Sequence, residues 1–444
     1  MKSKLGLTGA AREALIQRFG MRGKKPDAAP DDVSPRMRGS AAAIPDAYCR
    51  FDRFPGYEKL LVPQAAAKRL GLPNPFFRTH EGVAGATTQI EGRTFVNFSS
   101  YNYLGLAGHP RVNQAAKEAI DRYGTSASAS RLVAGERPIQ RELEQALAEF
   151  YEVEDCVVFV SGHATNVTTI GYLFGPRDLI VHDALIHNSV LEGARLSGAT
   201  RRSFPHNDTA ALEAILGEIR GQFERTLIVV EGLYSMDGDI PNLPALIDIK
   251  RRYKAFLMVD EAHSLGVLGA TGRGLREHYG VAGTDVDIWM GTLSKALAGC
   301  GGYIAGERAL VEHLKYAAPG FVYSVGMAPP LAAASLEALR VLLREPERVI
   351  RLQARGQQFV EAMRRVGVNT GMAQGYAVVP AIVGSSLKAT KLSAQFVAVG
   401  INVQPIIYPA VEEKAARLRF FLSSLHTELH VQSVVAAAKK LIGY

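Results

Sequence analysis

Cysteine is scarce: only Cys49, Cys156 and Cys300 occur among 444 residues, and they lie far apart. That spacing excludes a disulfide framework and the clustered thiols of a zinc site, and no other metal site is expected. It fits a reducing, cytoplasmic setting. No apolar run reaches the roughly 20 residues that span a bilayer, so no transmembrane helix is expected and any membrane contact is peripheral. The amino terminus lacks the charged-then-apolar pattern of a secretion signal. A phosphate loop of the form Gly-x-x-x-x-Gly-Lys-Ser/Thr is also missing. Its absence removes the nucleotide-dependent helicase that Asp260-Glu261-Ala262-His263 would otherwise suggest. No nucleic-acid motif, internal repeat or low-complexity tract is present.

With 47% hydrophobic and 21% charged residues, the chain has the make-up of a globular protein. Its length suits one large two-part enzyme or two ordinary domains. Residues 1–50 differ from the rest: ten Lys or Arg stand against five Asp or Glu, most of the excess in a net charge of +8. A short amphipathic pattern at 11–19 gives way to a Pro/Asp/Arg-rich stretch. This reads as a solvated basic extension or as a docking segment. The positive charge points to acidic partners, and no nucleic acid is expected.

The chemistry centres on Gly291-Thr292-Leu293-Ser294-Lys295 and the glycine cluster that follows. Lys295 stands between a strand-like run at 286–290 and a flexible loop. A lysine held this way can form a Schiff base, although a surface lysine in a glycine-rich loop looks the same. The second component is Asp260, at the end of the apolar run 256–260. A carboxylate there is costly unless something pairs with it. Pyridoxal phosphate needs a Schiff-base lysine and a carboxylate on its ring nitrogen, so that the ring can act as an electron sink. Lys295 with Asp260 supplies both.

Elements alternate around these two residues. Apolar runs at 156–160, 179–182, 227–231, 256–260 and 302–305 are of strand length. Helical patterns fall at 165–173, 188–197, 209–219, 243–254 and 307–318. The alternation predicts an α/β fold with a mainly parallel sheet covered on both faces. Ligands of such sheets bind at the carboxyl ends of the strands. Gly162, His163, His187, Ser235 and Asp260 gather there, and the Gly162 and His163 amides head a helix suited to a phosphate. Before the sheet come helices at 56–71, 112–123 and 139–151, and a hairpin of 87–90 with 95–98 about Glu91-Gly92. Asn102 reads either as a turn residue or as an amide offered to a substrate carboxylate. The small-residue run from Gly124 to Ser130 would let backbone approach a ligand closely. After it, a long helix at 328–344 leads to helices at 347–366, 388–399 and 428–442 and to strands at 378–383 and 419–422. Arg417 and Arg419 share one face of an extended segment, either as a solvated edge or as a fork for a substrate carboxylate.

Six motifs in this order resemble the α-oxoamine synthases. They are Asn102-Tyr103-Leu104-Gly105-Leu106, Ser161-Gly162-x-x-x-Asn166, Ser235-Met236-Asp237-Gly238-Asp239, Asp260-Glu261-Ala262-His263, Thr292-Leu293-Ser294-Lys295, and Arg417-Leu418-Arg419 with Ser423-x-x-His426. That family includes 8-amino-7-oxononanoate synthase and serine palmitoyltransferase. The resemblance covers about 73–444. It implies the fold-type I pyridoxal phosphate architecture: a large domain (106–330) with a seven-stranded, mainly parallel sheet, a smaller α+β domain (331–444), and a helix-and-hairpin arm (51–105). It implies that Lys295 carries the cofactor, Asp260 pairs with the ring nitrogen, and His263 and Ser235 sit near the ring hydroxyl. His187 would stack on the ring. Gly162, His163 and Thr292 would hold the phosphate. Asn102 and Arg419 would bind the substrate carboxylate. The resemblance further implies a homodimer with sites at the interface, Ser324 reaching the neighbouring chain's site.

The implied reaction is a decarboxylative Claisen-type condensation of a small amino acid with an acyl thioester, carried by coenzyme A or an acyl carrier protein. Ser130 stands where glycine-specific members tend to carry threonine, so serine or alanine is expected before glycine. The sequence departs from the family at Ala127-Ser128-Ala129-Ser130, Gln140, Val325 and Gly326. Two rivals remain: another pyridoxal phosphate enzyme such as an aminotransferase, and a non-catalytic partner subunit, against which the presence of Lys295 argues.

Overall fold

The computed structural model describes residues 44–69, 71 and 73–442. The helical pattern read at 11–19 and the basic stretch up to residue 43 lie outside them. The chain divides into two compact units between Ala67 and Lys68. As described, the first holds two single 3-10 turns, Asp46–Tyr48 and Phe51–Arg53, and most of the helix Pro55–Arg69.

The second unit opens on a hairpin of β1 (Thr87–Ile90) and β2 (Arg93–Asn97). Glu91 and Gly92 both take positive φ, 51° and 72°, as a two-residue hairpin loop requires. Seven strands follow: β3 (Asp155–Phe159), β4 (Leu179–Asp183), β5 (Thr200–Phe204), β6 (Thr226–Glu231), β7 (Phe256–Asp260), β8 (Ile288–Thr292) and β9 (Gly302–Gly306). They form one sheet in the order β3-β9-β8-β7-β6-β4-β5. Only β9 runs against its neighbours. The mainly parallel α/β sheet expected from the alternation is present.

Burial explains why these runs are almost wholly apolar. Along the strands, alternate residues enter two separate cores. Val181, Ile228, Val230, Leu257, Val259 and Trp289 pack on one side. Ile180, Leu227, Val229, Met258, Ile288 and Met290 pack on the other. A sheet covered by helices on both faces leaves neither set for solvent.

The sequence reading missed β5. Its Thr-Arg-Arg-Ser-Phe run is largely exposed and pairs only with β4, so edge position, not hydrophobicity, makes it a strand. β8 lies two residues later than the apolar run suggested. The Asp287 carboxylate accepts Leu257 N (2.7 Å) and Lys250 Nζ (2.7 Å), and strand pairing starts only beyond it.

The C-terminal elements are β10 (Val378–Ile382), β11 (Ile401–Asn402), β12 (Gln404–Ile406) and β13 (Arg417–Phe421), with helices Pro329–Arg344, Glu347–Arg365, Ser386–Ala398 and Glu428–Leu441. β10, β13 and β12 make an antiparallel sheet with β13 in the middle. The solvated-edge reading of Arg417 and Arg419 is therefore corrected: both sit on a central strand. Phe98, Phe359, Phe396 and Phe420 are fully buried together there, with successive ring centroids 5.3–5.9 Å apart. Burying each such ring contributes about 1.5–3 kcal/mol. β11 lies parallel to β2, and Asn402 Nδ2 donates to Asn97 Oδ1 (2.9 Å), tying the hairpin to this region. Among the described residues no helix is long and apolar enough to cross a membrane.

Candidate active site

The carboxyl ends of β4, β6, β7 and β8 present Asp183, Glu231, Asp260 and Thr292 along one edge. The geometry is that of a row: Glu231 stands in register with Asp260, and Asp260 with Met290. Gly162, His163, Asn166, His187, Glu231, Asp260, His263, Thr292 and Lys295 line one cavity of about 80 Å³. A second, of about 430 Å³, also reaches Lys295 and carries Tyr101, Asn102, His80 and Gln404 on its walls. The structure thus brings Lys295 and Asp260 to one cavity although 35 residues separate them in sequence.

Lys295 lies just past β8. Its Nζ is 2.9 Å from His263 Nε2, and the Tyr103 hydroxyl is 2.6 Å from His263 Nδ1. Nζ also lies 5.5 Å from the centre of the Tyr101 ring. Burial of the charged form brings the Lys295 amine down to about 8, against the opposing pull of the Asp260 charge. The fully buried His263 imidazole is pushed well below its usual range, by burial first and then by the Lys295 charge. Both groups are thereby shifted toward their uncharged forms, which suits an amine that must act as nucleophile and base.

Asp260 is buried and satisfied on both oxygens. Oδ2 accepts Asn166 Nδ2 (2.9 Å) and Oδ1 accepts the Ala262 amide (3.0 Å). Asn166 Nδ2 also donates to Ser189 Oγ (2.9 Å), which lies 2.7 Å from His187 Nδ1. The Ser189 amide donates to the same His187 nitrogen (3.2 Å). Nδ1 is therefore an acceptor, and the neutral ring carries its proton on Nε2. Burial lowers the His187 value, and Asp260 opposes the shift.

At the other end of the cavity the helix Gly162–Leu173 begins. Ser161 caps it by accepting the Ala164 amide, which leaves the Gly162 and His163 amides at the head of a three-turn dipole. A Cβ on Gly162 would lie 2.9 Å from Thr292 Oγ1, so only glycine lets this turn approach Thr292.

Arg419 is held by the loop after β6: Nη1 donates to Ser235 O (3.0 Å), and Nη2 lies 3.4 Å from the Tyr101 hydroxyl. Arg417 serves the fold, donating to Asp237 Oδ1 (2.7 Å) and Met236 O (2.9 Å). The Ser235 amide donates to Glu231 Oε2 (2.9 Å).

Three expected residues have other partners within one chain, and of these Ser324 is expected at the neighbouring chain's site. Asn102 lines the larger cavity, but its Nδ2 donates to Ala84 O (2.7 Å) and its Oδ1 accepts the Ala107 amide (3.2 Å). That is the work of a turn residue, and it leaves one N–H for a ligand. Ser130 Oγ donates to Val322 O (2.6 Å), and Ser324 Oγ donates to Val325 O (3.3 Å). Within one chain neither lines the cavities around Lys295. The departures from the family pattern have structural work: Gln140 is fully buried, donates to Met327 O (2.6 Å) and accepts the Arg137 amide (3.0 Å). Sequence reasoning overlooked Tyr101, Tyr103, Asn166, Ser189 and Glu231 as site residues. Asn166, one helical turn past Gly162, and Glu231, a charge ending an apolar strand, carried a legible signal.

The residues present fit pyridoxal phosphate: a desolvated amine, a buried carboxylate and histidines on the walls of one cavity, with a helix terminus for a phosphate. The family described as aminotransferase class I and II matches residues 93–437, and the chain belongs to it. Within that class it is an α-oxoamine synthase, a pyridoxal phosphate-dependent acyltransferase. It is 41% identical to 8-amino-7-oxononanoate synthase of Symbiobacterium thermophilum over 352 residues, 79% of this chain and 89% of that one. It is 42% identical to the same-named protein of Geobacter sulfurreducens over 366 residues, 82% and 93% of the two chains. Among solved structures, Sphingomonas wittichii serine palmitoyltransferase superposes with a TM-score of 0.83 at 28% identity, covering 87% of this chain and 97% of the other.

Proposed function

We propose that the protein condenses a small L-amino acid, L-alanine or L-serine in preference to glycine, with an acyl thioester, releasing carbon dioxide and the thiol and leaving an α-amino ketone. The observation that carries this reading is the Lys295 amine, desolvated and 2.9 Å from His263, in one cavity with Asp260 and His187. When bound, pyridoxal phosphate supplies an electron sink for a carbanion at the amino acid's α-carbon.

The chain's own residues do the rest. Gly162 and His163 would hold the phosphate through helix-head amides, helped by the Thr292 hydroxyl. Asp260 would pair its charge with the ring nitrogen, and Asn166 fixes that carboxylate in place. His263 and Ser235 would serve the ring hydroxyl. His187 would lie against the ring, with its Nε2–H left as a donor. Arg419 takes the substrate carboxylate, with Asn102 contributing its remaining N–H. The amine of Lys295, once free, takes the α-proton and later returns one.

The name 8-amino-7-oxononanoate describes a ketone whose amine sits on the carbon before a terminal methyl, a pattern that alanine supplies. That similarity favours alanine, and Ser130 leaves room for such a side chain. Two chains pair, and Ser130 and Ser324 then serve the neighbour's site; this accounts for their absence from the cavity walls around Lys295 of their own chain. The acyl donor is a coenzyme A or carrier-protein thioester.

Purified, cofactor-loaded protein incubated with each amino acid and a panel of thioesters tests the reading. Thiol and carbon dioxide should appear in equal amounts with alanine or serine. Amino exchange with a keto acid and no carbon dioxide would replace this reading with an aminotransferase.

A further inference from the structure

Glu231 is a titratable group for which the reaction above has no use. It ends β6, is 3% exposed, and lines the same cavity as Lys295 and Asp260. It stands in register with Asp260 on the adjacent parallel strand, so the two side chains leave the sheet on one face, about 4.8 Å apart at the backbone. The Gly232 amide donates to Asp260 O (2.8 Å), which pins the two strand ends together.

Two carboxyl groups this close and this dry cannot both ionise cheaply. Hydrogen bonds decide which one keeps the charge. Asp260 has a donor on each oxygen, Asn166 Nδ2 and the Ala262 amide. Glu231 has one, the Ser235 amide on Oε2, and its Oε1 is buried without a partner. An anionic oxygen left bare in such a place costs far more than a neutral hydroxyl without a partner.

We propose that Glu231 carries its proton on Oε1 in the working protein and acts as the uncharged neighbour of Asp260, so that the cavity holds one anionic carboxylate, opposite Lys295, instead of two. Glu231 is a positioning residue: it holds the Ser235 amide, and with it the loop that grips Arg419, without adding a second negative charge. The charged and titratable groups that face it are Asp260 from β7, Asp183 from β4, Lys295 beyond β8, and the Tyr103 and Tyr234 phenols. Burial, then the Asp260 charge, lifts its carboxyl to about 8. The inference rests on the proposed reading only for where the cofactor sits; the protonation state is a property of the protein alone.

The test uses infrared spectra of the full-length protein without cofactor. Glu261, also fully buried and raised to about 7, supplies a second neutral carboxyl that must be subtracted. In the Glu261→Gln variant, one protonated-carboxyl band should remain at pH 7, fade with a midpoint near pH 8, and disappear in the further variant Glu231→Gln. The pH midpoint for chemical modification of the Lys295 amine should be the same in wild type and Glu231→Gln when extrapolated from below pH 7. A spectrum of Glu261→Gln with no such band at pH 7 overturns the proposal even if Glu231→Gln does not fold. A clear drop in the Lys295 midpoint on Glu231→Gln overturns it too. Failure of the condensation assay leaves both readouts intact, so the two failures are distinguishable.

Discussion

Asn166 Nδ2 lies 2.9 Å from Asp260 Oδ2 and 2.9 Å from Ser189 Oγ, so one side-chain amide fixes both the carboxylate and, through Ser189, the ring of His187. Asn166→Ala removes a donor to a buried charged group, a loss of about 1.5–3 kcal/mol. Urea unfolding should show that loss, and activity should fall further, because His187 loses its anchor as well. Asn166→Asp should be worse than alanine, since it sets a second carboxylate against Asp260. Wild-type stability in either variant would show that the network does not matter.

Lys295 gives a pH prediction whose sign follows from linkage. Its folded-state value, about 8, is below the ordinary 10.5. Between these values the unfolded chain holds more protons, so this group makes stability rise with pH from about 8 to 10.5. Below 8 its full destabilising effect is present. The apoprotein amine should react with an aldehyde probe with a midpoint near pH 8. A midpoint near 10 would mean that the amine is solvated and the cavity open. Lys295→Ala should lose the fast phase of that reaction, and catalysis should fall by at least about 10²–10⁴-fold from lost proton transfer alone.

Much of this is legible in the sequence. The run Phe256–Asp260 is apolar up to its last residue, and a carboxylate at the end of a buried strand already asks for a partner. The motif order carried Lys295, His263 and Gly162 to the same edge. Less legible was anything set by a neighbour. β5 is polar and becomes a strand only because β4 offers a free edge. Asn102 looked available for substrate, and only the packed loop shows Ala84 and Ala107 claiming its amide. Arg417 and Arg419 looked equivalent by spacing. Asp237 takes the first, while the second turns to Ser235 O and Tyr101.

Arg419→Lys separates a forked contact from a point charge. The guanidinium is oriented from two sides, by Ser235 O and the Tyr101 hydroxyl, which an ammonium cannot satisfy together with a substrate carboxylate. Amino-acid affinity, read from the change in cofactor absorbance, should weaken by about 10–100-fold, the equivalent of one charged hydrogen bond. An unchanged affinity would assign the carboxylate to another group.

His206 bridges Asp183 and Asp239 at 2.9 Å on each side, joining the end of β4 to the loop after Ser235. Burial acts against the charged ring, but the two carboxylates prevail and raise its value to about 10. A folded value above the unfolded 6.5 means the stabilisation is complete below pH 6.5 and is lost between 6.5 and 10. His206→Asn should therefore narrow the stability difference between variant and wild type as pH rises through that window, as read from thermal unfolding. A difference that stays constant from pH 6 to 10 would show that the ring is held uncharged.

Glu144 is the strongest structural test, because three cations converge on a carboxylate with no exposure. Arg131 pairs with it, Lys315 Nζ lies 2.8 Å away and Arg141 3.4 Å, while the Val158 amide donates to it at 2.9 Å. The cluster ties the loop bearing Ser130 to β3 and to the helix before Ser324, and Arg131 also sits 5.5 Å from the Phe321 ring centre. Glu144→Ala takes one of two carboxylates from the buried Arg131, which keeps Glu136 at 2.6 Å, and should cost about 1.5–3 kcal/mol in urea unfolding. Glu144→Gln keeps the volume and one acceptor and should cost less. If Ser130 and Ser324 serve a neighbouring chain's site, activity in the glutamine variant should drop by more than its stability loss accounts for, with wild-type cofactor affinity at low protein concentration lost first. Activity that simply tracks the folded fraction would confine the cluster to holding the fold.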